Sequence, residues 1–294
     1  MKKTLLFTSI IAGSTIVASS ANAGNVQHLF YKPMAGQIVS DTSYNITEQE
    51  YKDGSAVANE IETAEIREVL SYGVSDKLTI DLDIAYQDKE WDVPTPVQKY
   101  DGFTNPEITA RYRVANQADN GEFVDLRISH APDVFDKEAA SGTVDGTVAQ
   151  GGATYSVGID YGRNINSFSY KINFDALHND DSEEIAVGGA SVTGYDDRTD
   201  LNFGVEGQYR VNDMISVNAG AARTLIGNTS IDGVARTGGS ATSYGADLNF
   251  NIDQQSAISI SFTQIDADDT YDDNVRSFTD DETTAYGISY KRRF

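Results

Sequence analysis

The sequence predicts an all-β fold, a closed antiparallel transmembrane β-barrel of about 12 strands with short periplasmic turns and long extracellular loops. Three observations predict it. Apolar and polar residues alternate with a period of two, the connections between alternating segments are short and long in turn, and the last segment ends on a phenylalanine. The mean hydropathy of −0.38 is compatible with this fold, because a barrel strand is polar at every second position.

The first 23 residues are predicted to be a secretory signal peptide. Lys2 and Lys3 precede an apolar stretch over 5–17, and Ala21-Asn22-Ala23 supplies small residues at a cleavage site. An uncleaved anchor is the alternative, but the apolar run is shorter than the ~20 residues of a membrane helix. Residues 24–294 are therefore predicted to form the mature barrel domain.

The composition of the 294 residues narrows the function classes. There are no cysteines, so disulfides, thiolate zinc sites and cysteine nucleophiles are excluded. The net charge of −23 argues against a nucleic-acid partner, which would need cationic groups for its phosphates. Tyrosine (16) and glycine (25) are frequent and proline (5) is scarce, which favours strands and turns.

The alternating segments set the strand count. Between 78 and 87, for example, Leu78, Ile80 and Leu82 fall on one face and Thr79 and Asp81 on the other. The predicted strands are 37–50, 61–74, 78–88, 106–117, 122–133, 152–163, 168–179, 198–211, 215–229, 241–252, 257–266 and 283–294. Five short and six long connections join them. Both termini therefore lie on the short-turn side, which is the periplasmic side of bacterial barrels.

The C-terminal segment has the character of a closing strand. Tyr286, Ile288, Tyr290 and Phe294 share one face, which is expected to meet lipid while the strand pairs with the first one and removes both sheet edges. A terminal phenylalanine after alternating bulky residues also resembles the signal that outer-membrane proteins present to the barrel assembly machinery. Arg292 departs from that pattern. The resemblance implies a cell outer membrane location in a Gram-negative bacterium, in contact with lipid and lipopolysaccharide.

Two stretches resemble a family of outer-membrane transporters named after the meta-pathway of phenol degradation. Tyr72-Gly73, Asp76, Gly102, Pro106 and Tyr112-Arg113 match its pattern, whereas Thr104-Asn105 stand where that family often has Gly-Asp. The resemblance covers roughly residues 60–130 and the terminal strand. It implies a barrel that acts as an uptake channel, without naming a substrate.

Charged residues fall on the polar face of several predicted strands and are expected to line the lumen. They are Asp81, Asp83, Arg111, Arg113, Asp125, Arg127, Lys171, Glu206 and Arg210. Cross-strand ion pairs that fill the interior are one interpretation. A field between an acidic and a basic wall, which orients solutes in a pore, is the other. The field corresponds to a passive porin-like channel for small solutes. The ion pairs correspond to a non-conducting structural or surface-interaction barrel with a charge-plugged lumen.

The sequence does not predict an enzyme or a cofactor. His130 and His178 have lipid-facing parity near outer strand ends, as in a twelve-stranded outer-membrane phospholipase, but they lack its His-x-Ser-Asn pattern and are interpreted as rim residues. His28 precedes the first strand without an identifiable partner. Acidic outer loops offer oxygen ligands for Ca²⁺ or Mg²⁺, although solvated, self-repelling loops are the simpler interpretation. The candidate ligands are Asp266, Asp268, Asp269, Asp272 and Asp273.

Overall fold

The computed structural model describes residues 26–53, 58–92, 97–115, 122–135, 146–148, 152–181, 185–187, 190–192, 196–231, 234–267 and 278–294. The predicted signal peptide lies outside these ranges, so its cleavage stays a prediction. Regular structure in the described ranges consists of strands. Within the same ranges, no helix has the length and apolar character needed to cross a membrane.

Eighteen strands are present in the described part of the chain. In chain order they are β1 (Ile38–Asp53), β2 (Ala58–Gly73), β3 (Leu78–Asp92), β4 (Gln98–Phe103), β5 (Glu107–Ala115), β6 (Glu122–Ala131), β7 (Gly146–Thr147), β8 (Thr154–Ile165), β9 (Phe168–Asn179), β10 (Ile185–Val187), β11 (Ala190–Val192), β12 (Arg198–Arg210), β13 (Ile215–Leu225), β14 (Thr229–Ile231), β15 (Val234–Arg236), β16 (Ser240–Asn251), β17 (Ser256–Ala267) and β18 (Phe278–Arg293).

Twelve of these strands form a closed antiparallel barrel. The order around the ring is β1, β2, β3, β5, β6, β8, β9, β12, β13, β16, β17 and β18. The ring closes where β18 pairs with β1, with Tyr290 opposite Thr42 and Tyr286 opposite Ile46. The predicted strand number and the closing role of the C-terminal segment are confirmed. Closure removes the two sheet edges, whose unpaired amides and carbonyls could not remain in lipid.

The prediction of a long loop between the strands 78–88 and 106–117 is wrong in part, because β3 extends to Asp92 and β4 follows it. β3 pairs with β5 over Leu78–Asp83 and then with β4 over Tyr86–Trp91. Pro106 lies in the short break between β4 and β5, where a residue without an amide proton interrupts no strand ladder. β7 adds to the free side of β4, and β10–β11 and β14–β15 form two small separate hairpins.

The two faces of the barrel differ as the alternation predicts. Ile66, Ile172, Phe203 and Ile288 are about half exposed, at 56%, 50%, 49% and 51%. Polar residues of the opposite parity point into the lumen and are buried or partly buried. An apolar outer face with a polar inner face is the arrangement required of a strand ring in a bilayer.

The chain enters and leaves the barrel at the same end. The Phe294 amide donates to the Ile38 carbonyl at 2.8 Å, which joins the last residue to the start of β1. Tight turns occur at this end at 74–77, 211–214 and 252–255, where the Val74, Val211 and Ile252 amides bond back across each turn. The described residues before β1, 26–37, therefore start at the short-turn mouth of the barrel.

Candidate functional site: the barrel lumen and an N-terminal plug

Cross-strand ion pairs line one half of the lumen. Arg67 on β2 binds Asp83 on β3, with its Nε 2.8 Å from Oδ1. Arg111 on β5 holds Asp81 on β3 with two parallel bonds, at 2.6 Å and 2.7 Å. Forked bonds of this kind between guanidinium and carboxylate fix both side chains in one orientation.

The same pattern continues onto the next strands. Arg113 on β5 bonds to both carboxylate oxygens of Asp125 on β6, at 2.7 Å and 2.6 Å. The side chains of this pair are only 4% and 8% exposed. Each basic residue of β5 thus neutralises an acid on a neighbouring strand, so the charges form pairs and not two separate walls.

Further ion pairs join the next strands of the ring, β6 to β12. Arg127 on β6 places Nη2 3.1 Å from Asp160 on β8 and 2.7 Å from Asp175 on β9. Lys171 on β9 lies 2.9 Å from Glu206 on β12, and this pair is 8% and 2% exposed.

The predicted lumen residues thus occupy different environments. Asp81, Asp83, Arg111, Arg113, Asp125, Arg127, Lys171 and Glu206 point inward and are ion-paired, while Arg210 is exposed at the short-turn end of β12. Their role in lining a conducting pore stays a prediction.

A segment before β1 crosses the lumen, which the sequence did not predict. We call residues 26–33 the N-terminal plug. The side-chain nitrogen Nε2 of Gln27 donates to Ser259 Oγ on β17 at 2.8 Å, and the Phe30 ring stacks on Phe123 of β6 with centroids 4.4 Å apart. In the order of the twelve-strand ring, β17 is six positions from β6, which is halfway round. The plug therefore bridges opposite walls.

The pocket that holds Phe30 is apolar within a polar lumen. Phe123 is 2% exposed and stands on the inner face of β6, where the alternation otherwise places polar residues. A Cβ added at Gly162 would lie 2.2 Å from Cζ of Phe30, so the glycine leaves the space that the ring occupies. The guanidinium carbon of Arg113 lies 5.0 Å from the centre of the Phe123 ring, within cation–π range.

The peptide groups of the plug are bound by Gln208 on β12. Its side-chain oxygen accepts a bond from the Leu29 amide at 3.0 Å, and its nitrogen donates to the Gln27 carbonyl at 2.7 Å and to Asn218 at 3.0 Å. Leu29 itself is fully buried. Satisfying buried peptide groups in this way avoids a cost of about 1–3 kcal/mol for each unpaired group.

Two titratable residues of the plug lie in an environment that opposes positive charge. Burial, together with the nearby Arg210 and Arg113, lowers the pKa of His28 to about 4. Nδ1 of His28 accepts a bond from the Phe30 amide at 3.3 Å, which requires the neutral ring at that nitrogen. Burial beside Arg113 and Arg111 lowers the pKa of Lys32 to about 8, although Asp125 and Asp76 act in the opposite direction.

The plug lies at the short-turn mouth. Its partners Gly162, Gln208 and Ser259 are each within about four residues of a short turn, and the residues that follow it contact the end of β2, where the Gly36 amide donates to the Gly73 carbonyl at 2.7 Å. The sequence did not identify a partner for His28, and the structure places this residue in the plug beside Arg210 and Arg113. Two sequence signals could have indicated this: the apolar residues between 26 and 31, and Phe123 on a polar face.

The remaining candidates lie elsewhere. The His130 ring stacks on Tyr155 at 4.6 Å, and His178 bonds to Thr199 at 3.0 Å, near the long-loop end. Asp266 accepts bonds from Tyr244 and Gln264 at 3.4 Å and 3.3 Å. The other four candidate metal ligands lie outside the described residues. Within the described ranges, acidic and histidine side chains form no group of three that could hold a metal ion.

Comparisons with known proteins agree on the fold. The COG4313 outer membrane channel from Pseudomonas putida F1 is similar, with a TM-score of 0.66 and 13% identity over 89% of this chain and 97% of that one. The translocator domain of the autotransporter NalP from Neisseria meningitidis gives 0.54 at 10% identity, over 89% and 90% of the two chains. The transport unit of the autotransporter AIDA-I from Escherichia coli gives 0.54 at 11%, over 88% and 90%.

The class defined by this fold is the outer-membrane β-barrel. No protein-family model matches the chain, and no curated protein sequence matches it. Because channels and autotransporter translocators share the architecture, the fold does not decide between their functions. That decision depends on the lumen.

Proposed function

We propose that the mature chain, 24–294, is a passive channel for small solutes in the outer membrane of a Gram-negative bacterium. One observation carries this proposal. Inward-pointing charges midway along the barrel keep contact with solvent, since Arg127 is 29% exposed and its partner Asp175 is 19% exposed. Arg67 and Asp83 are 18% and 16% exposed. These ion pairs therefore border open space inside the barrel, which water can fill.

The size of the ring is compatible with conduction. Barrels of ~8 strands are filled by side chains, whereas those of ~16–18 strands enclose a wide channel, and twelve strands fall between. Paired charges that remain in contact with water give a solute hydrogen-bonding groups on all sides without a strong net field. This arrangement supports a narrow path for small polar solutes in preference to a wide pore selective for one sign of charge.

The outer surface supports placement in a lipid bilayer. Tyr286, Ile288 and Tyr290 lie on the exposed face of β18, and Phe294 is 68% exposed at the barrel end. Aromatic residues suit the membrane interfaces. Lipid and lipopolysaccharide are the expected surroundings, and the C-terminal residues are the expected contact for the barrel assembly machinery.

A specific observation favours a second candidate, the non-conducting structural barrel. The plug bridges opposite walls near one mouth, and the described charges on the lumen wall are largely paired. In this candidate the plug and the ion pairs are permanent parts of the interior. The two candidates differ in whether solutes pass.

Liposome swelling with sugars of increasing size tests the proposal. Vesicles containing the folded full chain should swell in a pentose and much less in a trisaccharide, because the path is narrow. Vesicles containing heat-denatured protein are the matched control. A variant lacking residues 26–33 should swell faster than the full chain. Absence of swelling for both forms would contradict the channel and favour the structural barrel.

A further inference from the structure

We propose that the N-terminal plug is a releasable gate of the short-turn mouth, and that protonation of His28 releases it. The inference rests on the proposed channel only for its consequence, which is conduction. Release of the plug can be observed independently of any current.

The plug is bound as a ligand in a site and does not form part of the strand ladder. Its described contacts include one stacked ring pair between Phe30 and Phe123, side-chain bonds to Gln208 and Ser259, and a weak bond from Arg113 Nη1 to the Phe30 carbonyl at 3.4 Å. Val26 and Tyr31 also pack in an apolar cluster with Val39 of β1 and Ala257 of β17. Loss of these contacts would leave the twelve-strand ring and its pairing unchanged. The plug therefore has a route to leave that does not require the barrel to unfold.

The positive charge of Lys32 in the plug favours release of the plug. Nζ of Lys32 is buried without a hydrogen-bond partner. Arg111 and Arg113 repel it, and Asp125 is already held by two bonds from Arg113. A buried cation without its own counter-ion is costly. The docked plug thus carries an electrostatic penalty from Lys32, which brings the docked and the released plug closer in free energy.

His28 adds a penalty that depends on pH. Around its ring are the Phe30 amide, which donates to Nδ1 at 3.3 Å, and two cations on the wall, Arg113 of β5 and Arg210 of β12. Protonation would place a proton on Nδ1, remove that hydrogen bond and add a third positive charge. The neutral ring therefore fits the docked plug, and the charged ring does not.

The direction of the pH effect follows from linkage. His28 has a pKa of about 4 in the docked plug and an ordinary value of 6.5 when free, so docking is favoured above 6.5 and weakens as the pH falls towards 4. Between pH 7.5 and 5 the docking equilibrium constant should fall by about 30-fold. Lys32 titrates at higher pH and changes the constant by a factor of only about 1.3 over the same interval.

Thiol labelling tests release directly, because the chain has no cysteine of its own. Val26→Cys places a thiol on a fully buried plug position, and Gln254→Cys places one on an exposed short turn as the reference for reagent chemistry. The ratio of the two maleimide labelling rates should rise at least several-fold from pH 7.5 to pH 5. In a His28→Gln background the ratio should stay flat, whereas His178→Gln, a rim histidine, should leave the rise intact.

Channel recordings on the same proteins separate the two hypotheses. Open probability should rise on acidification at the short-turn mouth for the wild type and for His178→Gln, but not for His28→Gln. Lys32→Met should lower open probability at every pH, because it removes the buried cation. A labelling ratio that does not change with pH, or that changes equally in His28→Gln, would overturn the gate. Release in labelling without any current would leave the gate standing and overturn the channel.

Discussion

The ion pair between Lys171 and Glu206 gives the sharpest test of how the lumen is stabilised. Lys171→Met removes the cation and keeps a side chain of similar length. Glu206 is then left 2% exposed with one remaining bond among those described, from Asn218 Nδ2 at 3.1 Å. Asp247, on the same inner surface, already repels it.

The structure sets the expected magnitude. At the observed separation of 2.9 Å, an effective dielectric constant of about 20 gives about 6 kcal/mol of attraction. In the variant, relaxation of the structure and entry of water offset part of the lost attraction. Removing one partner of a buried ion pair costs about 3–5 kcal/mol. We therefore expect the variant to lose about 3–5 kcal/mol of unfolding free energy.

Equilibrium unfolding by guanidinium in lipid vesicles measures this loss. Trp91 is the sole tryptophan and is 5% exposed, so its fluorescence reports the folded barrel. The double variant Lys171→Met with Glu206→Gln should recover most of the loss, because no buried charge is left unpaired. A loss below about 1 kcal/mol in the single variant would refute the reasoning, since it would match a solvent-screened surface pair.

Three further predictions concern the membrane face, the lumen charge and barrel closure. Phe203→Arg should reduce the yield of folded barrel far more than the adjacent inward-facing Asn202→Arg, because a lipid-facing arginine costs up to about 2–4 kcal/mol; equal folded yields would contradict the facing assignment. Replacing Arg111 and Arg127 with Gln should move the reversal potential in a salt gradient towards cation selectivity, since Asp81 and Asp175 would lose their partners; an unchanged reversal potential would show that these residues do not face the ion path. The unboiled protein should migrate differently from the boiled one in SDS gels, as expected for a closed ring without an edge; identical migration would argue against closure.

The strand pattern was predictable because period-two alternation is a local property of the chain. Leu78, Ile80 and Leu82 share a face in any strand, and a closed ring must turn that face towards lipid. The pairing of Arg111 with Asp81 was foreseeable in outline, because an acidic strand precedes a basic one. The pairing of Arg127 with Asp175 was not foreseeable, since Asp175 lies two strands away in the ring. The register that brings the two side chains together depends on the stagger of the whole barrel.

The plug could not be predicted by the same reasoning. Val26, Leu29 and Phe30 have no period-two pattern, and their position in the lumen follows from contacts with strands far along the chain. Phe123 was the local signal, an aromatic residue on an inward face. It indicates that an apolar side chain packs against Phe123 inside the lumen, but the sequence does not show that Phe30 is that side chain.

Single-channel recording in a planar bilayer tests the central claim most directly. The purified full chain and a variant lacking residues 26–33 are recorded side by side at neutral pH. We predict discrete current steps of similar size in both, with the variant open for a larger fraction of the time. Silence in both proteins, with folding verified by the gel-migration difference, would contradict the claim that this barrel conducts.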